Sequence, residues 1–203
     1  KTLVEELTRD AAIEGSGHDF GKNILPQMLA GEKRILAYDF HEQSDYWRDI
    51  GTRDAYYEAN MDLVSAKPPF DLYDKSWPLR TYYSHYPPVM MRTAEDRSGQ
   101  MQGIVIDSIL SPGCIIEGGR VERSVLSPQV MVKRGAEVLD SVIMDGGVIG
   151  EGAKIKGAII DKQVVIPPGE MIGYDLDKDR QRFAVTKSGI VIVPKKTAIS
   201  VED

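Results

Sequence analysis

Tyr46-Trp47-Arg48-Asp49-Ile50-Gly51-Thr52 sets a large aromatic, a cation and a carboxylate side by side, just ahead of a helical stretch. A hard divalent cation takes carboxylate oxygens, and a short loop between a strand and a helix would present Asp49 to one. The same carboxylate would also serve as a helix cap or as a partner for Arg48, and the residues alone favour that second role. Arg48 itself suits either a carboxylate within the fold or a phosphate. Trp47 reads as a core aromatic before a base-stacking platform. Gly17-His18-Asp19-Phe20-Gly21-Lys22 offers a second pair. His18 and Asp19 either flank a substrate, or Asp19 caps a helix while His18 packs; the second reading is preferred here. Cys114 is the single cysteine, so the chain has no internal disulfide and no multi-cysteine metal site. It falls in an apolar column and reads as an inert thiol.

Three stretches must position these groups. Residues 1 to 65 read as mixed α/β. Leu3, Val4 and Leu7 open an amphipathic helix that Gly15-Ser16-Gly17 stops. Asp19 caps a short helix through Ile24, Leu25 and Met28, which Gly31 ends. Arg34 to Phe40 alternates partly and predicts a strand. Asp54 to Val64 predicts a helix with Ala55, Ala59 and Leu63 on one stripe and Thr52 as its N-cap. Residues 66 to 96 hold Pro68, Pro69, Pro78, Pro87 and Pro88 among many aromatics. Proline lacks the amide proton a ladder needs, so this reads as an ordered, irregular strap.

Residues 97 to 203 carry an internal repeat. Units beginning at Ser108, Ser124, Ser141 and Ala158 align without gaps, at spacings of 16, 17 and 17 residues. Ile109, Val125, Val142 and Ile159 form one apolar column, and Ile115, Met131, Val148 and Val165 another. Gly119, Gly135, Gly152 and Gly169 form a turn column. A period near 17 to 18, divisible into hexapeptides, is that of a triangular parallel β-helix whose stacked coils share a core. The competing β-sandwich would need alternating strands with variable turns. Two apolar runs around Lys187-Ser188-Gly189 predict a hairpin that closes the open end of the coils.

The composition is that of a soluble globular chain: 42% hydrophobic, 28% charged, net charge −6. That balance gives no electrostatic case for nucleic acid or a membrane surface, and no run is apolar enough to span a bilayer. One cysteine suits a reducing cytoplasm. The opening at Lys1, directly in helical pattern, leads us to expect residues upstream.

The motifs at 17–22, 46–52 and Tyr57-Glu58-Ala59-Asn60-Met61-Asp62-Leu63, taken in order with Tyr73-Asp74, Trp77-Pro78-Leu79-Arg80-Thr81, Gly113-Cys114-Ile115-Ile116, Ile160-Asp161-Lys162 and Gly189-Ile190-Val191, resemble consecutive motifs of ADP-glucose pyrophosphorylases, the glucose-1-phosphate adenylyltransferases. The resemblance covers essentially the whole chain and corresponds to the carboxy-terminal half of that family. It implies the tail of an α/β (Rossmann-like) nucleotidyltransferase domain, then a left-handed parallel β-helix. It also implies a reaction, ATP plus glucose 1-phosphate to ADP-glucose and pyrophosphate, in glycogen and starch synthesis. It places one of two Mg²⁺-binding aspartates at Asp49 and puts Asp19, Trp47 and Arg48 near substrate. Anionic allosteric effectors are implied in the carboxy-terminal region, where Lys162, Arg180, Arg182 and Lys187 fall; Ala184 and Val185 stand where some members carry further arginines. A homotetramer is implied as well. The family's glycine-rich phosphate loop, its Glu-Lys-Pro motif and its second metal aspartate are not in these residues, so the chain alone is not expected to be a complete catalyst. Two other readings stay open: a non-catalytic regulatory or oligomerisation subunit, and a related sugar-phosphate nucleotidyltransferase. A hexapeptide acyltransferase fits less well, because His18, His41 and His85 all lie outside the repeats.

Overall fold

A computed structural model describes residues 1–42, 45–81, 84–96, 99–197 and 199. It divides into two compact units, residues 1–45 and 46–203.

In the first unit, α1 (Thr2–Ala11) is followed by a wide π-helical turn, Phe20–Ile24, that runs into α2 (Leu25–Ala30). Asp19 caps this stretch, its Oδ1 accepting the Lys22 N–H at 2.7 Å. Pro26 stands in the first turn of α2, where an amide proton has no helical partner to lose. Ile24 is buried, together with the carboxylates of Glu6 and Asp10. The strand predicted over Arg34–Phe40 does not form: residues 33–39 carry no regular structure, and Leu36 is 78% exposed. A strand needs a neighbour to exchange hydrogen bonds with, and among the described residues this segment has none.

The second unit is a parallel β-solenoid with three faces. The first stacks Met90–Arg92, Ile115–Glu117, Met131–Val132, Val148–Ile149 and Val165–Ile166. The second stacks Ile104–Ile106, Arg120–Glu122, Glu137–Leu139, Lys154–Lys156 and Met171–Ile172. The third stacks Ile109–Leu110, Val125–Leu126, Val142–Ile143, Ala158–Ile160 and Val191–Val193. Successive strands pair parallel in register, as in Met131↔Val148 and Val142↔Ile159. This is the triangular parallel β-helix expected from the period.

The pleat alternates side chains across each face. Ile116, Val132, Ile149 and Ile166 point inward from the first face, Val121, Val138, Ile155 and Ile172 from the second, and Leu126, Ile143, Ile160 and Val193 from the third; all are fully buried. Each corner turns through a residue in the left-handed region: Gly118, Gly135, Gly152 and Gly169 at one, Gly113, Gln129, Gly146 and Gln163 at the next, Asp107, Arg123, Asp140 and Gly157 at the third. In the first coil the left-handed glycine is Gly118 and not Gly119, because that corner is one residue shorter. Gly119 is needed for closeness instead, since a Cβ there would meet Val132 Cγ1 at 2.6 Å.

Just past the third corner runs a hydroxyl ladder. Ser124 Oγ donates to the Glu122 carbonyl at 2.8 Å and accepts the Ser141 N–H at 3.1 Å. Ser141 repeats this with Leu139 and Ala158, so a small polar residue stitches one coil to the next. At the far end the structure adds α4 (Leu176–Arg182), capped by Asp175, ahead of the hairpin. The short run Ala184–Val185 then pairs antiparallel with Val191–Val193, the last rung of the third face. The hairpin was legible from its glycine turn; α4 was not expected.

Candidate functional site

The segment 46–52 leads into α3 (Arg53–Leu63), whose Thr52 cap accepts the Ala55 N–H at 3.1 Å as expected. Arg48 is the clamp. Its Nε and Nη2 reach the two carboxylate oxygens of Asp62 at 2.7 and 3.2 Å, and Nη1 reaches Glu58 at 2.7 Å. Asp62 and Glu58 stand one turn apart on α3, so a planar guanidinium can fork onto both. These carboxylates hold the Arg48 guanidinium above its ordinary range, Asp62 contributing most. Tyr46 joins from the other side, its hydroxyl donating to Asp62 at 3.1 Å and its ring lying 5.3 Å from that of Phe70. Burial, then the Asp62 carboxylate, pushes that phenol up. The helix is fixed in turn to the coils, where the Tyr57 hydroxyl donates to the Asp140 carbonyl at 2.6 Å.

Between these anchors Asp49 is left to point outward. It neither caps α3 nor pairs with Arg48. Its Oδ1 accepts the Gly51 N–H at 3.0 Å, a local turn that fixes the side chain, and Oδ2 has no partner among the described residues. Trp47 departs from the core reading: it is 73% exposed, and Ile50 beside it is exposed too. Arg48 is drawn onto the α3 carboxylates, while Trp47 and Ile50 on either side of the Arg48–Asp49 pair stay exposed. Below the loop a groove of about 390 Å³ runs between Ile50, Thr52, Tyr56 and the coil residues Met144, Ile159 and Asp161.

In the first unit, Asp19 is the helix cap, whereas His18 does not pack into a core. Its ring is exposed, and Nδ1 lies 2.8 Å from the buried Asp10 carboxylate. Asp10 carried no signal in the sequence; an acid in the last turn of a helix looks like a solvated surface residue.

The four carboxy-terminal cations do not converge. Arg180 pairs with Asp177 at 2.8 Å, and Arg182 forks onto Glu170 at 2.9 and 3.0 Å while lying 4.9 Å over the Phe183 ring. Lys162 sits in a coil corner and Lys187 in the hairpin turn. Only Arg182 of the four lines the cavity of about 600 Å³ at this end, with Glu170, Tyr174, Asp175 and Lys178. Lys178 stands one helical turn before Arg182, a relation visible only once α4 is known. Cys114 is fully buried, and desolvation pushes its thiol up, as an inert cysteine requires.

No three His, Cys, Asp or Glu side chains gather into a ligand set among the described residues. A single exposed carboxylate with one unengaged oxygen nonetheless fits a magnesium ion, which keeps several waters and takes its remaining ligands from phosphates. No helix among the described residues is long and apolar enough to cross a membrane.

The three stacked faces define a hexapeptide-type β-helix. The family described as "GlmU-like, C-terminal hexapeptide" matches residues 87–193, more than half of the chain, and the chain belongs to it. Residues 1–66 match "Nucleotidyl transferase". The relatives are more particular. A glucose-1-phosphate adenylyltransferase of Koribacter versatilis (strain Ellin345) is 47% identical over 197 residues, 95% of this chain and 46% of the relative. One from Anaeromyxobacter sp. (strain Fw109-5) is 45% identical, covering 95% and 49%. Glucose-1-phosphate adenylyltransferase 2 of Vibrio cholerae is 42% identical, covering 98% and 50%. The chain thus resembles these enzymes along nearly its whole length and spans about half the length of each.

Proposed function

We propose that this chain contributes the carboxy-terminal part of a glucose-1-phosphate adenylyltransferase, which joins ATP and glucose 1-phosphate into ADP-glucose and releases pyrophosphate. The observation that carries the proposal is the loop at 46–52, where Arg48 is spent on α3 and Asp49 is held outward with a free carboxylate oxygen. Phosphoryl chemistry of this kind rests on positioning and charge neutralisation, with little covalent help from the protein. Asp49 would hold Mg²⁺, which when bound neutralises phosphate charge. Arg48 then acts through Asp62 and Glu58, fixing the loop on which Asp49 rides. Trp47 offers an exposed aromatic face for the nucleotide or sugar, and Asp19 orders the start of the helix next to His18. The cavity around Lys178 and Arg182 suits an anionic effector; Lys162, Arg180 and Lys187 add positive charge to the same half of the chain. The coils serve assembly into a homotetramer, and the setting is the cytoplasm.

The test is ADP-glucose formation from ATP, glucose 1-phosphate and Mg²⁺ by a protein carrying this chain together with the remaining nucleotidyl transferase residues of its relatives. Product is expected, with no acyl transfer from acetyl-CoA. A well-folded oligomer that makes no nucleotide sugar would replace this reading with a regulatory or scaffolding subunit.

A further inference from the structure

The Asp10–His18 pair is built against several physical costs. Asp10 is 1% exposed, so its carboxylate is stripped of water. It also sits in the last turn of α1, where the helix dipole is negative and disfavours an anion. His18 adopts φ +50°, a left-handed conformation uncommon for a residue with a side chain. Three contacts offset these costs. The His18 ring presents Nδ1 to Asp10 Oδ2 at 2.8 Å, and Gln27 Nε2 donates to Asp10 Oδ1 at 3.2 Å. Ser16 Oγ donates to Asp10 Oδ1 at 2.8 Å and accepts the His18 N–H at 3.2 Å, so one hydroxyl links both members. The next residue is pinned too, because the Asp19 N–H donates to Asn23 Oδ1 at 3.1 Å.

All of this fixes the direction of a ring that faces solvent. The His18 side chain is 56% exposed, and Nε2 has no partner among the described residues. A carboxylate on Nδ1 selects the tautomer and fixes the orientation of an imidazole. Backbone strain combined with over-determined side-chain geometry is found where a group must be held for a ligand. Lys22, two residues into the following helical turn, has no ion pair among the described residues. An Nε2–H on the buttressed imidazole and the Lys22 ammonium, both near the start of one helical stretch, would each donate a hydrogen bond to an oxyanion.

We propose that His18 Nε2 binds a phosphate oxygen of a substrate, and that Asp10 is its positioning residue. The proposal rests on the nucleotidyl transferase reading of residues 1–66, and phosphate can come from the nucleoside triphosphate or from the sugar phosphate.

The test uses the protein completed with its relatives' nucleotidyl transferase residues. Imidazole ¹⁵N signals of His18 are followed on adding ATP, glucose 1-phosphate or inorganic phosphate, with chloride as control. A shift of Nε2 on adding one of the phosphates is expected, and the responsive arm names the source. In turnover, His18→Ala should raise KM for that substrate roughly tenfold, the scale of one charged hydrogen bond, with kcat nearly unchanged. His18→Gln, whose amide can reach the Nε2 position, should recover part of the loss. Asp10→Asn should raise the same KM and change the Nδ1/Nε2 tautomer signature. Unmoved ¹⁵N signals with all three phosphates, or unchanged KM values in a His18→Ala variant that merely melts lower, would overturn the proposal and leave the pair as a loop fastener. A protein that shows the Nε2 shift yet makes no ADP-glucose would sink the enzymatic reading and keep the phosphate site.

Discussion

The coil stack and residues 1–45 use their apolar side chains in opposite ways. In the coils every rung from Ile115–Glu117 onward contributes an Ile, Val or Leu that is fully buried, such as Val121, Leu126 and Ile155. Among the described residues of 1–45 the one buried aliphatic side chain is Ile24, and the other buried groups are the acids Glu6 and Asp10; Leu3, Val4 and Leu7 of α1 stay exposed. The coils are held by burial of apolar surface. The first unit is held by ion pairs and hydrogen bonds, with Glu6 beside Arg9 at 2.8 Å and Asp10 at the centre of the His18 network. A repeat shares its core with the next repeat and so completes itself. An amphipathic helix ordinarily turns its apolar stripe onto a neighbour, whereas the stripe of α1 is exposed among the described residues.

The largest effect separating the two regions should come from Ile155→Ala. Removing a fully buried side chain between two rungs leaves a cavity, and about 2–5 kcal/mol of stability should go, read as a lower thermal midpoint of the coils. A loss below about 1 kcal/mol would mean that the coils collapse around defects and are not close-packed.

Next is Ser124→Ala, which removes the hydroxyl that serves two coils at once and leaves the Ser141 N–H buried and unpaired. About 1–3 kcal/mol should be lost in denaturant unfolding. Ser108→Ala, at the exposed end of the same ladder, should cost less.

In the first unit the corresponding test is pH. The hydrogen bond from His18, then that from Ser16, holds the Asp10 carboxyl below the usual carboxylate range. Its folded value therefore lies under its unfolded one. The stability it contributes is fully present above the unfolded value near 4 and is lost as pH falls through the folded value. Hydrogen exchange of α1 and its following loop should rise across that acid window in the native chain and stay flat in Asp10→Asn. Parallel profiles would remove Asp10 from the account.

The smallest effect should be Leu7→Ser, within about 0.5 kcal/mol for this chain because the side chain is already exposed. The same change should destabilise a protein completed with the relatives' nucleotidyl transferase residues, where the stripe acquires a partner. An equal, negligible effect in both would mean that the stripe of α1 is ordinary surface.

How much of this was legible in the sequence follows the same divide. The coils could be read because neighbouring rungs repeat the same packing problem, and the answer recurs every 16 or 17 residues. Even there only one corner announced itself, the one that uses glycine in every coil. The other two corners adopt the same left-handed conformation with Gln129, Gln163, Asp107, Arg123 and Asp140, which carry no such mark. Gly119 falls in the glycine column of an ungapped alignment, yet the left-handed residue is Gly118, because the first coil is one residue shorter at that corner. The helix caps at Asp19 in the first unit and Thr52 in the second were legible, being local. The strand at 34–40 was over-read, since alternation cannot supply the partner a ladder needs. At the candidate site, Asp49 is singled out by the resemblance of its motif. Its freedom from Arg48 is not legible, because that depends on Glu58 and Asp62 lying one turn apart on a helix that faces the loop. Asp10 was missed altogether, as nothing in a sequence marks an acid as buried.

The most direct test of the central claim is Asp49→Asn in the completed protein, assayed for ADP-glucose synthesis at saturating ATP, glucose 1-phosphate and Mg²⁺. The account predicts a fall in turnover of roughly a hundredfold or more, the scale of losing a metal-held charge, with the oligomer and its melting temperature unchanged. A variant that keeps wild-type turnover would contradict the assignment of Asp49 and, with it, the role given to the loop that Arg48 clamps.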